Sequence, residues 1–217
     1  MNIPLIVITF ILSYLLGSIP TSVWVGKTFH GIDVRDHGSG NAGATNVIRV
    51  LGWKTGIPVM LVDLAKGWLA ASLPVIFSLA EKGSGTLITL QIITGMAAII
   101  GHVYPVFAGF RGGKGVGATF GVLLALNPLL TLSCLVVFLA VLFITGYVSV
   151  SSMSAGIAFP VFLFTLFSTP SVVFKIFSVV VAIALIATHR TNIKRLLKGE
   201  ESKFIRKNGK KSEGNTH

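Results

Sequence analysis

LLTLSCLVVFLAVLFITGYV, Leu129 to Val148, runs for twenty residues without a charge. A helix of that length rises about 30 Å, the thickness of a bilayer's hydrocarbon core. Only helices and closed barrels cross such a layer, because each backbone N–H and C=O must be satisfied without water. Outward from this stretch, further apolar runs extend from Ile3 to Val25, Ile57 to Ala80, Thr86 to Phe107, Gly115 to Leu126, Ala155 to Phe167 and Ser171 to Thr188. The pattern predicts an all-α integral membrane protein with about seven transmembrane helices. The fourth and sixth runs are short, each parted from a neighbour by a helix-breaking group, Asn127-Pro128 and Ser168-Thr169-Pro170. Were both breaks kinks, the count would fall to five and the C-terminus would stay on the same side.

Composition agrees with a chain that uses lipid as part of its solvent. Of 217 residues, 53% are hydrophobic and 12% charged, against about 25% charged in an ordinary soluble domain. The first run is read as a retained span, since no Lys or Arg precedes it, no small-residue cleavage site closes it, and the first cation, Lys27, follows it. Placing the N-terminus outside puts segments 26–56, 108–114 and 189–217 in the cytoplasm, and these hold fifteen of the eighteen Lys and Arg residues. That asymmetry is the positive-inside pattern, and the net charge of +11 reads as topology plus attraction to anionic headgroups. Residues 1–203 are expected to form one membrane-embedded domain and 204–217 a basic, disordered cytoplasmic tail. No aromatic interleaving or recognition fold accompanies the basic run, so nucleic acid is not the expected partner. The single Cys134 excludes an intramolecular disulfide and supplies no metal cluster.

Chemistry concentrates in polar insertions. The first is GSGNAGATNVIR, Gly38 to Arg49, where Gly38, Gly40 and Gly43 allow tight turns, Ser39, Asn41, Thr45 and Asn46 offer neutral hydrogen bonds, and Arg49 a fixed charge. That is a composition suited to phosphate. Its glycines also spell G-x-G-x-x-G with Asp63 twenty residues on, yet no strand precedes them and Asp63 belongs to a span, so a dinucleotide fold is rejected. The second, GHVYPVFAGFRGGKG from Gly101 to Gly115, is not a P-loop, because Ala108 stands where glycine is needed and Gly115 follows the lysine in place of Ser or Thr. What remains is Lys114 among Gly112, Gly113 and Gly115 at the start of a short span, where an ammonium and helix-terminal amides can share one phosphate. His189, Arg190 and Asn192 follow the last span, and Ser149 and Ser151 lie between the fifth and sixth. Asp63 and Lys66, three apart on one face of the second span, read equally as a functional or a mutually paired set. With seven spans, all these groups meet one aqueous face.

The chain holds no H-E-x-x-H, no G-x-S-x-G, no Cys/His dyad, and no His and Asp separated by four residues. Zinc hydrolysis, an α/β-hydrolase triad and a cysteine nucleophile therefore lack their parts. A reaction whose donor already carries a good leaving group asks least of such a site, which can act by positioning and charge stabilisation.

The loop GSGNAGATNVIR, the segment GHVYPVFAGFRGGKG and the ending HRTNIKRLLKG, with VDLAKG in the second span and YVS after the fifth, resemble the motifs of the bacterial acyl-phosphate:glycerol-3-phosphate acyltransferases. The resemblance spans essentially the whole chain. It implies transfer of a fatty acyl group from acyl phosphate to the 1-hydroxyl of glycerol 3-phosphate, giving lysophosphatidic acid for phospholipid biosynthesis, in the bacterial cytoplasmic (inner) membrane. By that resemblance Ser39, Arg49, Lys114, His189 and Asn192 form the catalytic group. Gly38, Gly40, Asn41, Gly43, Thr45, Asn46, Lys66, His102, Gly112, Gly113, Gly115 and Ser149 bind substrate. No cofactor or metal is implied. The partners are acyl phosphate, glycerol 3-phosphate and membrane lipids, and the protein is expected to work as a monomer, with a substrate phosphate taking the proton. Thr191 replaces an acidic residue of the third motif, and Gly117-Ala118-Thr119 displaces a hydroxyl by one position. A transporter or scramblase of anionic phosphate esters is the competing reading, although the only internal echo is AGAT at 42–45 against VGAT at 116–119. Cysteines introduced singly at positions 39 and 114 should both react with a membrane-impermeant maleimide from the cytoplasmic side, and labelling from opposite sides would refute a shared pocket.

Overall fold

The computed structural model describes residues 2–167, 169 and 171–204. Ser168, Pro170 and the expected disordered tail beyond Phe204 lie outside the described residues. All regular structure among the described residues is helical: α1 Ile3–Gly17, α2 Thr21–His30, α3 Ala44–Leu51, α4 Trp53–Ile76, α5 Gly85–Val103, α6 Val116–Leu126, α7 Pro128–Thr145, α8 Val148–Thr165, α9 Val172–Thr188 and α10 Arg190–Leu197.

Caps written in the sequence start several of these helices. Asn2 accepts from Leu5 N at 3.2 Å, with a proline in the first turn of α1. Asn127 accepts from Leu130 N at 3.0 Å with Pro128 opening α7, and Ser171 accepts from Phe174 N at 3.2 Å to open α9. Each satisfies an amide that the helix geometry leaves unpaired. The apolar run expected as one span from Ile3 to Val25 is instead broken at Ser18–Pro20, and α1 meets α2 at 42°. Pro20 has no N–H and its ring crowds the preceding turn, so the helix restarts after it.

Four segments are long and apolar enough to cross a bilayer: Trp53–Ile76, Gly85–Ala108, Pro128–Thr145 and Val148–Thr165. The bent pairs α1/α2 and α9/α10, the latter at 54°, bring the number to six. Reaching seven requires α6, whose eleven residues rise only about 16 Å, half of a hydrocarbon core. The sixth apolar run, read as short from Ala155, is in fact part of the 18-residue α8. Its serines looked like a connection, but Ser151 and Ser152 donate their hydroxyls to the carbonyls of Tyr147 and Val148, both at 2.8 Å, and so sit inside the helix at no polar cost.

The helices bury small or polar faces against one another and turn large apolar side chains outward. On α1 the buried residues are Thr9, Ser13 and Gly17, whereas α7 leaves Val136, Phe143 and Ile144 largely exposed, at 66%, 64% and 73%. This arrangement fits association in lipid, where close packing between helices replaces the hydrophobic drive. A separate apolar core of Phe159, Phe174 and Phe177 joins α8 to α9, with ring centroids 6.0 to 6.4 Å apart, packed on Leu130, Leu163 and Val122. The contact that matters most for the site is α4 against α6. A Cβ on Gly121 would collide with the Leu64 carbonyl oxygen, and one on Gly67 with that of Ala118, so the two backbones touch through glycine. Gly121→Ala should therefore lower stability by about 1–3 kcal/mol and depress the midpoint of thermal unfolding in detergent. Gly85→Ala, in open space, should leave that midpoint unchanged.

Candidate active site

The first glycine loop is built around Asn46. Gly38 and Gly40 take left-handed backbone conformations, at φ 61° and 74°, and turn the chain back over the start of α3. A side chain on Gly38 would also strike the Asn46 amide oxygen. Asn46 is 2% exposed. Its Nδ2 donates to the carbonyls of Val34 (2.8 Å) and His37 (3.1 Å), and its Oδ1 accepts from Ser39 N (2.8 Å) and Ser39 Oγ (3.0 Å). All its polar capacity is used inside the loop, so it shapes the loop and aims Ser39. Ser39, Gly38 and Arg49 then line a cavity of about 260 Å³, closed on its other side by Arg195, Glu200, Glu201 and Ser202. Gly40, Asn41, Gly43 and Thr45 belong to the same turn and the first turn of α3, with Gly43 as its extended N-cap. They do not line that cavity.

The second glycine loop folds back onto the end of α5. Gly112 N donates to Val103 O at 3.1 Å and Gly113 N to His102 O at 3.0 Å. A Cβ on Gly113 would run into the His102 ring, which fills the space where that side chain would be. Lys114 follows directly, its carbonyl accepting from Thr188 Oγ1 at 3.1 Å. Gly115 is the left-handed N-cap of α6, at φ 86°. Beneath this loop lies a separate buried group. Asp63 pairs with Lys66 at 2.9 Å and stands 3.5 Å from His102 Nδ1, and Lys66 also donates to Ile19 O at 2.9 Å, a carbonyl at the α1/α2 break. With Gly112 and Gly113 these residues enclose only about 10 Å³, room for roughly one water. Lys66 and His102 are thus held by protein partners under the loop, apart from the large cavity.

The third element is the bend between α9 and α10. His189 is 2% exposed and its Nδ1 lies 2.7 Å from Leu185 O. A carbonyl only accepts, so Nδ1 carries the proton and Nε2 is left as an acceptor. Burial, reinforced by the Lys114 charge, pushes the imidazole down to about 4 and keeps it neutral. Asn192 is also buried. Its Oδ1 accepts a hydrogen bond from Lys114 Nζ, and its Nδ2 donates to Glu201 Oε1 at 2.6 Å. Ser149, at the start of α8, donates to the same Glu201 oxygen at 3.0 Å. Burial lowers Lys114 to about 8, the Arg195 and Arg49 charges acting in the same direction and Glu201 against them.

Two well-separated stretches of chain, carrying Ser149 and Asn192, therefore converge on one carboxylate beside the Ser39 and Arg49 cavity, and Lys114 joins them through the Asn192 amide oxygen. Sequence reasoning missed Glu201, counting it only as a charge in a basic tail. The tail comes back because Gly199 is left-handed at φ 71° and Phe204 N donates to Gly146 O at 2.8 Å, with the Phe204 ring 5.1 Å from Trp53. Of the expected site residues, Ser39, Arg49, Lys114, Ser149, His189 and Asn192 gather around this point. Asn46 shapes the loop that carries Ser39, and Gly112 and Gly113 the loop that leads into Lys114. The assembly can hold oxyanions on Arg49, Arg195 and Lys114 and offers neutral donors and acceptors between them.

Known proteins resemble most of the chain. Residues 7–199 match the family model described as glycerol-3-phosphate acyltransferase. A curated glycerol-3-phosphate acyltransferase of Chlorobium phaeobacteroides (strain BS1) is 44% identical over 91% of this chain and 96% of its own. That of Chlorobaculum tepidum is 45% identical over 91% and 97%. That of Salinibacter ruber is 42% identical over 91% of each. The crystal structure of PlsY (YgiH), an integral membrane glycerol 3-phosphate acyltransferase, in its glycerol 3-phosphate form superposes with a TM-score of 0.81 at 38% identity, covering 92% of this chain and 95% of that one. Its lysophosphatidic acid form gives 0.78 at 38% identity over 91% and 94%. For the loop geometry described above, Asn46→Ala should cost about 2–3 kcal/mol by leaving buried carbonyls unpaired, read as a lowered unfolding midpoint. Thr45→Ala next to it should cost under about 1 kcal/mol.

Proposed function

The chain belongs to the glycerol-3-phosphate acyltransferase family, and from that premise we propose how its site performs the transfer. It is an integral membrane enzyme that acylates glycerol 3-phosphate to lysophosphatidic acid, a step of phospholipid biosynthesis. We assign acyl phosphate as the donor. Its phosphate is a good leaving group, and the described site offers cations and hydroxyls in place of a dedicated base, with the Glu201 carboxylate already taken up by Asn192 and Ser149. In the proposed reaction the 1-hydroxyl oxygen of glycerol 3-phosphate bonds to the acyl carbonyl carbon. The carbon–oxygen bond to phosphate then breaks, and the departing phosphate accepts the hydroxyl proton.

Each residue has a role that follows from its surroundings. Arg49 and Lys114 hold the two phosphoryl groups, and Ser39, whose hydroxyl proton is held by Asn46, presents its oxygen as an acceptor to a substrate hydroxyl. Asn192 orients the Lys114 ammonium, and Ser149 adds a hydroxyl beside it. Neutral His189 offers Nε2 as an acceptor to the acceptor substrate's hydroxyls, too weak a base at about 4 to take a proton outright. The observation that carries this reading is the Glu201 carboxylate. Donors from α8 and α10 already gather on an oxyanion, and the Lys114 ammonium of the glycine loop stands one hydrogen bond away on the Asn192 amide oxygen, an arrangement suited to phosphate recognition. A transporter is not favoured, because the relatives are acyltransferases.

We place the site at the cytoplasmic face of the bacterial inner membrane, with seven crossings if α6 is counted, the N-terminus outside and the C-terminus inside. The distribution of Lys and Arg supports that orientation. Residues 1–203 then form the membrane-embedded catalytic domain, acting as a monomer, and 204–217 a basic tail near anionic lipid.

Purified protein in detergent should transfer label from glycerol 3-phosphate to lysophosphatidic acid with acyl phosphate, and not with acyl coenzyme A or acyl carrier protein. Lys114→Met or Arg49→Met should lower kcat/KM by about 100-fold or more, and wild-type rates in either would sink the assignment. Lys114 is charged below its pKa of about 8. The plot of kcat/KM against pH should therefore fall as pH rises through about 8, with the limb for kcat lying higher, because a bound phosphate favours the ammonium. Lys114→Arg should abolish that alkaline limb, since a guanidinium stays charged.

A further inference from the structure

The two glycine loops are tied together by a residue that none of the motif readings used. Asp33 caps the short 3-10 turn Val34–Asp36 that precedes the first loop, and Arg35 is its middle residue. Arg35 Nε donates to Asp33 Oδ1 at 2.9 Å and Nη2 to Oδ2 at 2.7 Å, a bidentate pair, while Arg35 N also donates to Oδ1 at 3.0 Å. Lys27 stands 3.2 Å from Oδ2. The side chains are 13% and 14% exposed, unlike a solvated surface pair, which contributes little. The Arg35 guanidinium holds the Asp33 carboxyl well below the usual carboxylate range. The remaining nitrogen reaches across the fold. Nη1 donates to Ala108 O at 2.8 Å and to Arg111 O at 3.3 Å, in the loop that carries Gly112, Gly113 and Lys114.

We propose that Arg35 is a positioning residue that sets the separation between the Ser39 loop and the Lys114 loop, a role that rests on the reaction proposed above. On one side of Arg35, its neighbour Val34 gives its carbonyl to Asn46, whose Oδ1 holds Ser39. On the other, the carbonyls of Ala108 and Arg111 set the entry of the chain into Lys114. A phosphate held by Arg49 and one held by Lys114 must lie close enough for a hydroxyl to reach a carbonyl carbon, and an error of about 1 Å can cost 100-fold in rate. Asp33 fixes the plane of the guanidinium so that Nη1 points at the second loop. An ammonium at position 35 cannot hold both a carboxylate edge and two carbonyls in one plane, so lysine is not an equivalent substitute.

The experiment is a double-mutant cycle combined with a distance measurement. Arg35→Lys should lower kcat/KM about 10-fold or more, chiefly through kcat, with phosphate affinity changed less. In a Lys114→Met background the same substitution should cost less than about twofold, because the residue it positions is gone. A merely structural Arg35 would add its full loss in both backgrounds, and that result overturns the proposal. Independently of activity, spin labels on cysteines replacing His37 and Arg111, in a Cys134→Ser chain, should give a narrow distance distribution that Arg35→Lys broadens or shifts. An unchanged distribution also overturns it. Absence of turnover in wild-type protein would instead sink the proposed reaction and leave the distance result standing. If Arg35→Lys does not fold, Asp33→Asn, which keeps the guanidinium and removes its anchor, should show the same coupling to Lys114→Met, and additive losses there would count against the proposal.

Discussion

A cation withdrawn from water among apolar helices costs several kcal/mol unless it is paired, and the compensation of one buried and one half-buried lysine organises this protein. Lys66 is answered by Asp63 and by the Ile19 carbonyl that the Pro20 break leaves available. That arrangement joins α4 to the α1/α2 junction and, through His102, to the end of α5. Lys114 is answered by the Asn192 amide oxygen, with Glu201 behind it. The first lysine is fully used within the scaffold. The second keeps donors to spare, as its proposed role toward a phosphate requires.

The scaffold makes the second arrangement possible by bringing backbones very close. Glycine contacts between α4 and α6 fix the short helix whose N-terminus follows Lys114. The His102 ring occupies the side-chain space that Gly113 leaves open, so the buried acid–base group beneath the loop also supports the loop. The tail returns over the site because Gly199 turns left-handed and Phe204 is held at Gly146 and Trp53. Each of these devices limits where Lys114, Ser39 and Asn192 can stand.

Much of this was legible in the chain itself. Long uncharged runs announced the helices, and Asn127-Pro128, read as a helix break, is where Asn127 caps α7. The glycine-backed polar insertions stood out because polar residues are costly in an apolar background. The hidden parts were those in which a residue's partner lies far away in sequence. Ser151 read as part of a connection because a hydroxyl bonded to its own helix looks no different in sequence from one facing water. Glu201 drew no reading of its own because its partners, Ser149 and Asn192, meet it only where the chain returns after α10.

The sequence by itself determined that this chain is a bundle of apolar helices with phosphate-suited loops between them, because transfer into lipid is close to a sum over neighbouring residues. Only the tertiary structure decided which cations are consumed by the scaffold and which remain available, and which glycines are contacts as opposed to hinges. Charge compensation and backbone approach depend on distances between residues far apart in the chain, and such pairwise quantities exist only once the helices have packed.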